Sequence, residues 1–468
     1  MSGHPNTTLV ALHRFGLGAR PGDWTRASSD PRGFLLGQLN GPAPAIGVSL
    51  PASDEALRQH NGEGKARKAE RKRDAPPATV TMAETQAERG KNEETHIEVL
   101  LFRAEASARF QQLATADRGL VERLVLFWSN HFTVSAAKGA AVRASAGAFE
   151  REAIRPHVLG RFTDMLLAVE QHPAMLIYLD NNQSFGPNSR AGQNRERGLN
   201  ENLARETLEL HTLGVDGGYT QADVAALSRI YTGWGIHPPQ PDEPEGGRFN
   251  FAPPRHEPGP QTLLGRSYPE GQGKAGVEQG RAALADLARH PSTARFIARK
   301  LARHFVADEP PPALVARLEA AFTSSNGDLL TVTRALIEAP ESWSTPLAKL
   351  RTPMDFLGSL MRATGQTPEA PAAMLNGLRL MGQPLWQAPG PNGWPDTTAA
   401  WLAPEAMAVR LDIASQWARR ASGVDPLVLM DNVLGSAISR ETREAVAQAE
   451  SRAQGLALLF MSPEFQRR

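Results

Sequence analysis

Residues 149–169 read FEREAIRPHVLGRFTDMLLAV. Phe149, Ile154, Val158, Phe162, Met165 and Leu166 recur close to the helical period, which predicts a helical region with those side chains facing a core. The pattern extends outward on both sides. Upstream it begins near Glu94 and carries Leu113, Leu120, Leu124 and Phe127 into Trp128-Ser129-Asn130-His131-Phe132. Downstream, His172-Pro173 interrupts it, because proline cannot continue a helix but suits the first turn of a new one. Thr220-Gln221-Ala222-Asp223 has the spacing of a capping box, with Asp in place of the usual Glu or Gln, and predicts a helix to Tyr231. His290-Pro291 marks another restart, followed by the apolar stripe Phe296, Ile297, Leu301 and Phe305. Few segments alternate with period two; Phe249, Phe251, Leu263 and Leu264 fit a small β-hairpin. The expected fold is mostly α: a multi-helix bundle-like core with long irregular loops.

The bulk numbers narrow the function classes. At 468 residues and 41% hydrophobic content the chain can build a substantial core. A formal net charge of +1 gives no global attraction to nucleic acid. Cysteine is absent, which removes disulfides, thiolate metal sites and a cysteine nucleophile. No apolar run reaches the length of a membrane span. Met1-Ser2-Gly3-His4-Pro5-Asn6 does not read as the start of a signal peptide. A periplasmic or secreted location is expected if a precursor signal has been removed, and a cytoplasmic one otherwise. No Gly-x-Ser-x-Gly elbow, Rossmann fingerprint or P-loop occurs.

Four stretches are expected along the chain: an N-terminal helical segment (1–60), a flexible, charged low-complexity insertion (61–92), a central helical domain bearing the site (93–345), and a C-terminal helical region packed on the core (346–468). The insertion holds the basic cluster Lys65, Arg67, Lys68, Arg71, Lys72 and Arg73. Pro384 to Asp396 forms a rigid aromatic and Pro/Gly loop, too unusual for a generic linker. Two similar endings, Pro340-Glu341-Ser342-Trp343 and Pro463-Glu464-Phe465, each close an apolar helix.

Ionisable groups concentrate in Asn200-Glu201-Asn202-Leu203-Ala204-Arg205-Glu206-Thr207-Leu208-Glu209-Leu210-His211. On a helix, Glu201, Arg205 and Glu209 form an i,i+4 series, which leaves Glu206 to point elsewhere. Glu206 lies in angle between Leu203 and Leu210, so it is the carboxylate expected to be buried. A buried carboxylate raises its pKa or meets a cation. Glu206 is thus the candidate base, acid or metal ligand, with Glu209 and His131 as auxiliary ligands or proton-transfer groups and Arg205 as an anchor for an anionic group. Glu206, Glu209, His131 and His256 are the candidate ligands for a divalent metal. Oxygen ligands suit Ca, Mg or Mn, and histidines shift the preference to Zn or Fe. Tyr219, Trp234, Trp386 and Trp394 offer core packing or an aromatic platform for a sugar-like ring.

Together with Leu12-His13-Arg14-Phe15-Gly16-Leu17-Gly18, Phe127-Trp128-Ser129-Asn130-His131-Phe132, Tyr231-Thr232-Gly233-Trp234 and the Gln383 to Asp396 loop, this run resembles the bacterial family DUF1800 over almost the whole chain. Where relatives commonly read His-Asp, this chain has His256-Glu257, and Thr207 replaces a leucine. Members often look exported, and the resemblance implies no particular reaction. The functional expectation is an enzyme, a metal-dependent hydrolase or lyase acting on a small-molecule, sugar-like or anionic substrate. The competing expectation is a non-catalytic helical scaffold or binding protein, with a structural Glu/Arg/His network and a protein partner.

Overall fold

The helices begin where local chemistry can satisfy their free N–H groups. His172 and His290 each precede a proline, and each imidazole Nδ1 accepts from the backbone N–H two residues on, at 3.1 Å (Ala174) and 3.2 Å (Ser292). Proline at the first helical position has no N–H to leave unpaired. The helices Pro173–Tyr178 and Pro291–Phe305 therefore start at the two His-Pro pairs. Thr220 and Asp223 form the reciprocal box at the head of Gln221–Tyr231. Asp223 Oδ1 also accepts from Leu264 N at 2.7 Å, which ties a hairpin to that helix.

The computed structural model describes residues 6–73, 95–193, 198–270 and 275–468. The fold is mostly helical, with two small two-stranded antiparallel sheets among the described residues. In the first, β1 (Trp234–Ile236) pairs with β2 (Phe249–Phe251), Trp234 opposite Phe251. In the second, β3 (Gln261–Leu263) pairs with β4 (Arg266–Tyr268) across a tight turn. Leu264 and Gly265 both have positive φ there, as a two-residue hairpin demands. Phe249 and Phe251 thus belong to a different sheet from Leu263.

One continuous apolar core runs from Leu9 to Phe465, so the stretches 1–60, 93–345 and 346–468 share it. Phe149, Ile154, Val158, Phe162, Met165 and Leu166 all lie in it. The backbone that carries them is less regular than a single helix. It runs as a π-helical turn (Glu150–Ile154), a 3₁₀ turn (Arg155–His157) and the helix Phe162–Glu170. Pro156 supplies the break, having no N–H to donate. Two further π-helical stretches, Val10–Phe15 and Thr207–His211, carry His13, Arg14 and His211. Single π turns recur at functional sites because the extra residue re-aims side chains.

The first part of the charged segment is ordered. Residues 61–73 belong to the helix Ser53–Arg73, Asn61 donates to Pro239 O at 2.6 Å, and Glu63 accepts from Ile97 N at 2.7 Å. The rest of the expected insertion, from 74 onward, lies outside the described residues. Among the described residues, no helix is long and apolar enough to cross a membrane.

Buried arginines clamp the two Pro-Glu-aromatic endings. Arg14 donates to Ser342 O (2.6 Å), Thr345 O (2.9 Å) and Pro346 O (2.8 Å), and Arg351 Nε donates to Phe465 O at 2.7 Å. Arg14 joins a segment more than 300 positions away, so its loss should be global. Arg14→Ala is expected to lower unfolding free energy by on the order of 3 kcal/mol, since three carbonyls lose a charged donor in the interior. Urea denaturation followed by circular dichroism measures this; an unchanged midpoint would show that the clamp is dispensable.

Candidate active site

The acidic run adopts the helix Asn202–Glu206 and continues as the π turn Thr207–His211. Arg205 bridges Glu201 Oε2 (3.0 Å) and Glu209 Oε1 (3.3 Å), and also donates to Gln221 Oε1 (2.9 Å). These side chains keep substantial contact with solvent, so each pair contributes less than about 1 kcal/mol. Glu206 is half-buried and accepts no hydrogen bond among the described residues. Burial pushes its carboxyl above the usual range; Glu209 and Glu170 add to the rise, while His211 and Arg205 oppose it.

The histidines lie deeper. His211 Nδ1 is 2.7 Å from Glu170 Oε1, and both side chains are fully buried. His131 Nε2 is 3.1 Å from His211 O, a carbonyl that can only accept, so Nε2 carries the proton and donates. Its Nδ1 then accepts from Lys300 Nζ at 2.9 Å. Burial holds the His131 imidazole well below its usual pKa. His256 is tied elsewhere: its Nδ1 is 2.8 Å from Thr232 O, and its ring meets the edge of Phe251. The chain thus brings Arg205 to Glu209 and His131 to His211, and it sets His256 apart from them. Among the described residues no group of three or more His, Asp or Glu side chains converges as a metal would require; Glu206, Glu209, His131 and His256 do not form one.

A cleft opens on another side of the helix Gly119–His131. It encloses about 730 Å³ between its walls, the open mouth included. Its walls include Asn130, His304, Asp355, Trp386, Trp394 and Asp396. Asp396 Oδ2 is 2.7 Å from His304 Nδ1. Lys349 donates to Asp396 O at 2.8 Å, and Arg468 Nη2 lies 3.3 Å from its Oδ1. These cations and His304 hold the Asp396 carboxyl well below the usual range despite its burial. An ionised Asp396 fixes the tautomer of His304: Nδ1–H donates, and Nε2 keeps its lone pair. That Nε2 is buried and has no hydrogen-bond partner among the described residues. Burial lowers the His304 pKa to about 4, with Arg468 and Arg123 contributing and Asp396 opposing.

The cleft roof is held by the end of the helix beneath it. Asn130 grips Trp394 twice, donating from Nδ2 to its O (2.9 Å) and accepting at Oδ1 from its N (2.7 Å). Ala136 N donates to Trp386 O (2.7 Å), and Ser135 Oγ donates to Ala388 O (2.8 Å). Trp386 adopts a positive φ of 49°, a left-handed conformation that costs an L side chain on the order of 1 kcal/mol or more. Its ring lies under the Arg109 guanidinium at 5.4 Å and meets Phe102 edge-on. Trp386 and Trp394 remain half-buried in the wall, whereas Trp234 is core and Tyr219 is only partly covered. Sequence reasoning singled out this loop and its tryptophans but missed His304, Asp355 and Asp396 as partners. The available signal was the aspartate at the loop's end, together with a histidine ending an amphipathic helix.

Two consequences can be measured. Gly393 has φ 72°, and a Cβ there would collide with Asn130 O and stand 2.8 Å from Thr133 Oγ1. Gly393→Ala should unseat the roof, cost on the order of 2 kcal/mol and red-shift tryptophan emission; a native spectrum and melting temperature would refute the clamp. The second concerns pH. His304 binds its proton near pH 4 when folded but near 6.5 when unfolded. Between those values the unfolded chain holds more protons, so stability is full above 6.5 and falls as pH drops toward 4. His13 and His131 are shifted the same way. The His304 contribution is roughly 3 kcal/mol. Urea midpoints at pH 7, 6 and 5 should fall, and His304→Gln should flatten the slope.

The Protein of unknown function (DUF1800) family matches residues 10–467. No curated protein and no solved structure matches the chain. With the match running from the first π turn to Arg467, the chain belongs to the DUF1800 family.

Proposed function

We propose that this chain is an enzyme, a hydrolase or lyase, that works by general acid–base catalysis in the cleft beneath residues 383–396 and takes a sugar-like substrate. One observation carries this reading: an aspartate-oriented imidazole in the wall of a cleft, whose second nitrogen, itself buried, has no partner among the described residues. His304 Nε2 takes a proton from water or from the substrate, Asp396 stabilises the imidazolium, and the proton passes to the leaving group. A group with a pKa near 4 is neutral and ready at pH 7, and its conjugate acid gives the proton back readily. Trp386 and Trp394 supply faces on which a ring can stack, and Gln383, Thr352 and Asn130 border them with polar groups.

A second reading keeps the centre at Glu206. A half-buried carboxylate without a hydrogen bond and with a raised pKa suits a proton donor or base, next to the buried Glu170–His211 pair.

A turnover screen over glycosides, uronates and other small anionic substrates, run on wild type, His304→Gln and Glu206→Gln, separates the two. The first reading expects His304→Gln to fold normally and lose at least about 100-fold in kcat, the usual scale for removing a general base, while Glu206→Gln stays active. The reverse pattern moves the chemistry to the acidic helix. Full activity in both variants would sink both.

A further inference from the structure

One cation in the wall of the cleft takes no part in the proton transfer at His304. Arg109 lies on the helix Ile97–Thr115 and borders the cleft together with Ser129 and Trp386. Its side chain is only 7% exposed, yet its guanidinium is sparsely partnered. Glu150 pairs with its Nη1, while its Nε, itself buried, has no hydrogen-bond partner among the described residues. That carboxylate is shared: Glu150 Oε2 also accepts from Ser129 Oγ at 2.7 Å and from Trp386 Nε1 at 3.4 Å. The neighbouring acid Glu122 belongs to Arg155, whose two amino groups grip it at 2.6 and 2.9 Å. Burial, with Arg155 close by, works against the Arg109 charge, and Glu122 offsets this only in part.

An imbalance of the same sign stands behind Asp355 and Asp396. Arg123, Arg351, Arg410, Arg468 and Lys349 are all buried there. Their ion-pair partners among the described residues are three: Asp355, Asp396 and Asp308. Neither Nη atom of Arg351 has a hydrogen-bond partner among those residues. An excess of one charge in low-dielectric walls gives a cleft an attractive field for the other.

We propose that the substrate of this cleft is an acidic sugar, a uronate-type ring bearing a carboxylate, and that Arg109 receives the carboxylate. The proposal rests on the reading of the cleft as a sugar site. A guanidinium presents paired N–H groups in one plane, which suits both oxygens of a carboxylate. The Arg109 guanidinium lies over the Trp386 ring, 5.4 Å from its centroid. A uronate carries its carboxylate directly on the sugar ring, so a ring held against Trp386 can reach Arg109 within a single sugar unit. Glu150 touches both the guanidinium and the indole N–H, and so fixes the cation and the aromatic face relative to each other. A neutral sugar would leave the guanidinium with its one shared counter-ion.

The test is binding, read from tryptophan emission as the full chain is titrated with glucuronate and galacturonate, their neutral parents glucose and galactose, and inorganic phosphate. The uronates should bind about tenfold tighter than the neutral sugars, the scale of a charge-assisted hydrogen bond, and added salt should shrink the preference. Arg109→Lys keeps the charge but loses the fork, so it should weaken the preference; Arg109→Met should abolish it. His304→Gln should retain it in full. Uronates that bind no better than neutral sugars, a preference that survives Arg109→Met, or phosphate that competes as strongly as glucuronate would overturn the proposal. Where the Arg109 variants do not fold, wild-type protein decides through glucuronate against its methyl ester, which lacks only the charge. A uronate preference with no turnover of any sugar retires the acid–base reading and leaves this one standing; turnover of neutral sugars without a uronate preference does the reverse.

Discussion

Two aspartates, Asp355 and Asp396, hold this structure to a single arrangement. Asp355 lies 3.3 Å from Arg123 Nη1 and 3.0 Å from Arg468 Nε. Asp396 meets His304, Lys349 and Arg468. Arg123 and Arg468 are fully buried, and Arg123 also donates to Gly16 O at 2.7 Å, Arg468 to His304 O at 2.6 Å. A charge taken out of water costs several kcal/mol unless its partners are in place, and removing one partner strands the other. The participants come from the first π turn's flank, the helix Gly119–His131, the helix Pro291–Phe305, the head of Pro353–Thr364, the Pro/Gly loop and the C-terminal segment. No one of these can shift without exposing a buried charge somewhere else. This is why segments that read as separate stretches share one core.

The same network sets the chemistry of the cleft. Burial first, and then the nearby arginines, oppose the protonation of His304, while an aspartate orients it. The result is a neutral imidazole in one tautomer. Next to it, Phe127 packs against the His304 ring at 5.2 Å and limits its rotation. The roof above is fixed through backbone hydrogen bonds by Asn130, Ser135 and Ala136, so the tryptophans are carried on a rigid support rather than on a free loop. Rigid placement matters because a catalytic group misplaced by an ångström loses much of its effect.

What the sequence made legible follows from how local each interaction is. The His-Pro helix starts, the Thr220–Asp223 box and the Glu201–Arg205–Glu209 series rest on neighbours within a few positions, and all three appear as read. The positions of the inward residues across 149–169 also held, because burial tolerates a π turn and a 3₁₀ turn that shift the backbone without turning the apolar side outward. Asn130, near the end of the helix Gly119–His131, grips a loop 264 positions away, which nothing local to it marks. Glu170 bore no local mark of its bond to His211, 41 positions on. Likewise the Asp396–His304 pair joins positions 92 apart. Charge density drew attention to the acidic helix, yet density on a half-exposed surface is mostly solvated, whereas the costly charges are scattered singly along the chain and meet only after folding.

A purely structural account of the cleft has to explain why its polar groups are incompletely satisfied. Buried ion pairs stabilise poorly compared with apolar packing of the same volume, so stability alone would not select this network. His304 keeps a buried nitrogen without a partner among the described residues while its other nitrogen is firmly held, as His211 and His256 also do. Trp386 adds to the argument: its backbone is strained and the strain is maintained by hydrogen bonds from a neighbouring segment, although glycine would fit the same φ without cost. What the tryptophan supplies and glycine cannot is a ring in the cleft wall. Strain, an oriented imidazole and aromatic faces thus meet at one cavity.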